Sequence, residues 1–447
     1  MKVRGLLISV LLLAGLSGLI YWSNERERTK ENEPDPDAPP NIVEVEEGSI
    51  ARLEIQQGSE AAVVLEKSDD GEWKLTSPEP LAADKSAADS LASTLAVLES
   101  NRLVEESAAD LASYGLDSPG LVVSATQSDG AALKLLVGDE TPTGSNFFAK
   151  LENDSRIFTL PSYNKTSLEK TPWDLRDKRL LTFDSGKLSR INLSAKGDTV
   201  EIGKNAQNEW QIVSPKPMRA DGGIVEQLIS RLSDAKMDSN MTADDLKQAA
   251  STFRSATRVA VAKVTGASGE QELEVRKTGD GDYYARSSVV EGVYKVTNVV
   301  GEGVGKGLAD LRNKKLFDFG FSEPAVIEIR DGGKTSVYEK KDDKWLRDGV
   351  EMDSVKVRVL IDELRDLSAD SFPESGFTEP HFEARVVTED GQREEKVLIS
   401  KRGDEFFAKR EGEPSIYAIK AVDADRLQAV AEDIKEPAPA EEEPEEE

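Results

Sequence analysis

The chain has 447 residues and a formal charge of −28, with no cysteine and a single histidine, His381. Without cysteine there are no disulfides, thiolate metal sites, cysteine nucleophiles or lipid-modified cysteine anchors, and one histidine leaves little for a zinc site or a Ser-His-Asp triad. No basic stripe stands ready to neutralise phosphates, so nucleic acid is not an expected partner.

The chain begins with an uncharged 18-residue segment from Gly5 to Trp22, preceded by Lys2 and Arg4. At 1.5 Å per residue such a segment just crosses a bilayer core of about 30 Å. The basic flank places the amino terminus in the cytoplasm and the bulk of the chain outside the inner membrane, in the periplasm or beyond. The segment ends in LIYWSN, a poor site for signal-peptide cleavage, so an uncleaved single-pass anchor over residues 1–23 is expected, with lipid contacts through residues 5–22. Residues 24–42 carry Pro34, Pro36, Pro39 and Pro40 among charges and read as an extended tether.

The first repeat, residues 43–183, opens on alternating apolar and polar residues at Ile50 to Ile55, then Ala62 to Glu66, then Trp73 to Leu75. Period-two patterning broken by an Asp-Asp-Gly turn predicts antiparallel strands. The segment WKLTSPEPLAAD, Trp73 to Asp84, is followed by Ala88, Leu91, Leu95 and Leu98, a helical stripe for which Asp84 is the predicted N-cap. Four further strand candidates follow, at 121–123, 133–137, 147–150 and 157–160.

The second repeat, 184–319, restates the segment as WQIVSPKPMRAD from Trp210 to Asp221, and the third, 320–435, keeps a worn form from Trp345 to Asp353. The tryptophans are 137 and 135 residues apart, a spacing suited to whole domains rather than solenoid units. Two aromatics, an alanine and a base recur at 147–150, 283–286 and 406–409. The expected architecture is α+β: three tandem related domains, each an antiparallel strand group with one main helix, after an N-terminal transmembrane helix. Between copies, Asp174 and Arg176 answer Asp310 and Arg312 and read as interdomain joints, the arginines held in structural ion pairs with the neighbouring aspartates. Residues 436–447, with seven glutamates, form a solvated acidic tail.

The tryptophan segment with its prolines and Ala-Asp, the YGLDSP element at 114–119, its echo SGFTEP at 375–380 and the VGD strand end at 137–139 together resemble domain-of-unknown-function family 4340. In the second copy FRSA, from Phe253, stands where YGL would be. The resemblance spans roughly residues 43–435. It implies an accessory protein of the bacterial envelope, because family members are membrane-anchored repeat proteins often encoded near gliding-motility-type ABC transport genes. It carries over no catalytic residue.

Trp73, Trp210 and Trp345 could serve as a ligand platform, but a tryptophan ending a strand before a core helix is read first as packing. Asp84, Asp221 and Asp353 are read as caps before general acids or metal ligands. His381 has no ligand-type residue at metal spacing, and the glycines from Gly301 to Gly307 lack the order of a phosphate loop. No cofactor, metal or catalytic set is implied. The expected function is a non-enzymatic, membrane-anchored envelope accessory protein partnered with an ABC-type transport complex. The alternatives are an envelope glycan-binding or scaffolding protein without a transporter, and a hydrolase using paired carboxylates.

Overall fold

Three antiparallel sheets, of nine, eight and eight strands, carry the three repeats. The computed structural model describes residues 41–436 apart from 47, 389, 390 and 392. The predicted anchor, nearly all of the tether and the tail from 437 onward lie outside the described residues. Among the described residues no helix is long and apolar enough to cross a membrane.

The first sheet begins with a meander of Ile50–Gln57, Val63–Lys67, Trp73–Ser77 and Leu81–Ala82. The helix Lys85–Ala96 then crosses over, and a second meander follows: Leu121–Gln127, Ala132–Glu140, Asn146–Leu151 and Ile157–Pro161. The meanders join through their first strands, Ile50–Gln57 pairing with Leu121–Gln127. A ninth strand, Arg102–Glu105, covers the edge beyond Ile157–Pro161. The other sheets repeat this order, joining Arg190–Ala195 to Thr257–Gly266 and Pro324–Asp331 to Phe382–Thr388. Period-two patterning makes one face of each sheet apolar. Each crossover helix lays its stripe there: Ala88, Leu91 and Leu95 in the first repeat, Val225, Leu228 and Leu232 in the second, Val357, Leu360 and Leu364 in the third, all buried.

The elements named by the family resemblance meet in space. Gly115 of YGLDSP takes a left-handed φ of +66°, and a Cβ on Gly138 of VGD would lie 2.1 Å from the Tyr114 carbonyl oxygen. Only glycine allows that approach. Tyr114 then sets its ring edge-on to Phe148, with centroids 4.9 Å apart. In the third repeat a Cβ on Gly376 of SGFTEP would lie 2.5 Å from the ring of Phe407. The second repeat departs from the expected single helix. There a second long helix, Ala243–Ser255, follows the first, started by a Thr242–Asp245 capping box. FRSA is the end of that helix, and Phe253 is buried beneath the guanidinium groups of Arg276 and Arg286.

The described chain divides into two compact units, with the break between Lys178 and Arg179. The first unit holds the first sheet, and the second unit holds the other two. In the first, Leu175 O accepts the Asp84 amide and Ala82 O accepts the Asp177 amide, so the segment after the short helix Pro172–Leu175 closes its own repeat. Just past the break Leu180 N binds Ala235 O of the second repeat, and inside the second unit the equivalent segment runs from the second repeat to the third. Leu311 O and Asn313 N bind Asp221 and Arg219 of the second repeat, and Lys314 O and Leu316 N bind Ala369 and Leu367 of the third.

Candidate binding cleft between the second and third repeats

Residues just beyond the shared segment are held the same way in both repeats, but with different chemistry. In the second repeat the Thr182 amide donates to Gln271 Oε1 at 2.8 Å, and Ser287 Oγ donates to Leu180 O. In the third, the Asp318 amide donates to Glu395 Oε2 at 2.6 Å, and Arg410 donates to Leu316 O. Three neutral residues are thus replaced by three charged ones. Glu395 pairs with Arg410, and the second repeat supplies the partner of Asp318, Arg219.

Arg219 extends from the end of the tryptophan segment into the third repeat. Its Nη1 lies 3.2 Å from Asp318 Oδ2, and its Nη2 donates to Lys315 O and to the Tyr417 hydroxyl at 3.3 Å. Its Nε lies 2.9 Å from Glu413 Oε1, an ion-pair contact in which the N–H is not aimed well enough for a hydrogen bond. Glu413 also accepts from Tyr417 at 2.6 Å and from Arg410 Nε at 2.8 Å. Burial opposes the Arg219 charge, but Tyr417, Glu413 and Asp318 outweigh it and hold the guanidinium above its ordinary range. At the rim, Arg393 spans the repeats, donating to Asp318 O at 2.8 Å and to Glu209 Oε1 at 2.9 Å.

Over this network lies an open cleft of about 900 Å³, near the top of the range of about 300–1,000 Å³ for small-molecule sites. One wall carries Trp210 and the other Phe319 and Phe321. Trp73 and Trp345 are buried, as a packing role requires, but Trp210 is only half-buried. Its indole N–H donates to Glu226 at 2.7 Å, as that of Trp73 does to Asp89, and Lys204 covers the ring at 4.9 Å as Lys67 covers Trp73. The packing expectation therefore needs correcting at Trp210, where the ring faces an opening. Phe321 is 94 % exposed. The charged lining comprises three bases and four acids, and Arg219, Arg393, Glu209, Asp318 and Glu413 are already engaged with one another.

The remaining candidates fall elsewhere. Asp84, Asp221 and Asp353 cap their helices, accepting from Ala87 and Ile224 at 3.0 Å and from Val355 at 2.9 Å. At the second joint the expected ion pair gives way to other contacts. Asp310 caps the short helix Leu308–Leu311 through the Gly307 amide and takes Lys196 at 2.8 Å, while Arg312 lies 3.5 Å over the Phe372 ring and donates to Ser415. Side chains two positions apart do not face each other at a helix end. Asp174 likewise completes a capping box with Thr171, and Arg176 lies over the Trp173 ring at 5.4 Å. Gly301 is a packing glycine, its Cα against the Tyr283 ring. His381 packs against Phe406, and no group of three or more potential metal ligands exists among the described residues.

Sequence reasoning passed over Arg219, Asp318, Arg393 and Phe321. The signal was available for Arg219, because aligning LAAD with MRAD puts an arginine where the first copy has Ala82. What it touches could not be read without the sheets.

These features define a tandem α+β repeat protein with a cleft where two repeats are joined by charge. Residues 73–209 and 210–381 match, as two adjacent segments, the family described as Domain of unknown function (DUF4340), and the chain belongs to that family. Each matched segment starts at a tryptophan, so the first begins within one sheet and ends within the next. Among curated proteins none matches the chain.

Proposed function

We propose that the chain is a non-enzymatic accessory protein of the bacterial envelope, anchored in the inner membrane through residues 5–22 and working with a membrane complex of ABC transport type. The observation that carries this reading is the uncharged 18-residue segment followed by a proline-rich acidic tether and a repeat array. The transporter enters through the family resemblance alone. The polar groups of the cleft support binding rather than catalysis, since most of its charges hold the second and third repeats together. Reporter fusions after residue 42 and after residue 435 test the topology, with activity of the extracytoplasmic reporter expected at both. Mild-detergent purification with crosslinking tests the partner. ABC permease and ATPase subunits recovered with the full chain, and not with a chain lacking residues 43–435, support it, and their absence removes the transporter from the reading.

A second reading, an envelope glycan-binding or scaffolding protein without a transporter, is favoured by the half-buried Trp210 and the exposed Phe321 facing one cleft.

A further inference from the structure

We infer that the cleft between the second and third repeats binds a neutral, hydroxyl-rich glycan strand, with Trp210 and Phe321 as its stacking surfaces. The inference rests on the extracytoplasmic placement of the repeats proposed above. Three observations point the same way.

The first is a contrast within the chain. The same repeated tryptophan is 3 % exposed at Trp73 and 5 % at Trp345, and only the copy facing the cleft is half-open. Phe321, 94 % exposed on the facing loop, is the most exposed large apolar side chain among the described residues. Lys204 lies over one face of the Trp210 ring and Arg365 over one face of the Phe321 ring, and the opposite face of each is suited to the flat C–H face of a pyranose, which it desolvates without needing a charge partner.

The second is charge. The lining carries three bases and four acids, and the two arginines are already committed to Asp318, Glu413 and Glu209. A phosphate-rich ligand would meet a net excess of acid, and a charged peptide would have to break ion pairs that hold the repeats together. A neutral ligand faces neither cost.

The third is the kind of polar group that is left. Asn208, Gln211 and Glu226 line the Trp210 side of the cleft; the two amides can both donate to and accept from hydroxyls, and the Glu226 carboxylate, which already accepts the Trp210 indole N–H, can accept from another. The cleft is open rather than enclosed, so it admits the middle of a polymer as well as an end.

The test is isothermal calorimetry on the full chain in mild detergent, with a β-1,4-linked N-acetylglucosamine pentamer, cellopentaose and maltopentaose as ligands. Binding of at least one is expected, weakened about tenfold or more by Trp210→Ala and by Phe321→Ala. Because Phe321 is almost wholly exposed, its variant keeps the fold and keeps the test decisive if the Trp210 variant does not fold. No heat from any of the three at millimolar concentration overturns the inference, as does binding that Phe321→Ala leaves unchanged. Binding of a lysine or glutamate decapeptide that Phe321→Ala abolishes also overturns it, in favour of a peptide site. The reporter fusions fail or succeed independently: an extracytoplasmic array that binds no glycan removes this inference alone, whereas a cytoplasmic array removes the reading beneath it.

Discussion

Arg219 lies 3.2 Å from Asp318, at the joint that leads into the third repeat, and this contact helps to fasten the second repeat to the third. The arginine is four-fifths buried at its side chain and is held by Glu413 and Tyr417 as well. Removing one partner from such a buried group strands the others. Arg219→Ala is expected to cost about 3–5 kcal/mol of the second unit's stability. Arg219→Lys should recover only part of this, because a point charge cannot satisfy Asp318, Glu413 and the Lys315 carbonyl together. Urea denaturation of the full chain measures both.

The three tryptophans should not be equivalent. Trp73→Ala empties a buried site and should cost about 3–5 kcal/mol. Trp210→Ala, at a half-buried ring, should cost clearly less, about 1–2 kcal/mol on area grounds. Equal losses in denaturation midpoints would show that Trp210 is as much a core residue as Trp73.

Asp221 caps its helix through the Ile224 amide. Asp221→Ala should cost about 1 kcal/mol and Asp221→Asn only a few tenths, since asparagine also caps well. Thermal melting distinguishes a capping role from a ligand role, in which asparagine would be no substitute for the carboxylate.

Glu274 is buried among Arg276, Arg258 and Arg286. Burial raises its pKa, but the Arg276 hydrogen bond and the three positive charges outweigh this and hold the carboxyl below the ordinary glutamate range. A depressed folded value means that the stabilisation is present above the unfolded pKa, about 4.3, and is lost as pH falls through the folded value. Glu274→Gln should therefore be less stable than the parent at pH 7. The gap should close as pH falls below about 4.3, as followed by acid titration of the melting temperature.

Gly138 leaves no room beside the Tyr114 carbonyl. Gly138→Ala should destabilise the first unit by about 1–3 kcal/mol, the usual cost of forcing an extra methyl into a packed site. The second unit, which lacks this contact, should be unaffected, and limited proteolysis of the full chain can read the two separately.

The α+β class, the strands and each main helix were legible because they follow from local periodicity, and the caps because an aspartate before an apolar stripe has a defined job. The second helix of the second repeat escaped because its stripe is thin, with only Ala249 and Phe253 buried. The ion pair expected at the second joint failed because Asp310 and Arg312 are close in sequence but turned apart, each finding partners over 100 residues away. The cleft itself was invisible: Trp210 reads the same as Trp73 until the neighbouring sheet is in place, and Phe321 has no counterpart in the other copies to mark it.

The segment from Leu311 to Leu316 hydrogen-bonds along one stretch to the second repeat and along the next to the third. The same short segment is an edge partner of both repeats, so displacing either one strains the bonds it makes to the other. Trp210 and Phe321, which line one cleft from either side of this junction, are therefore spaced by a backbone stretch that both repeats grip.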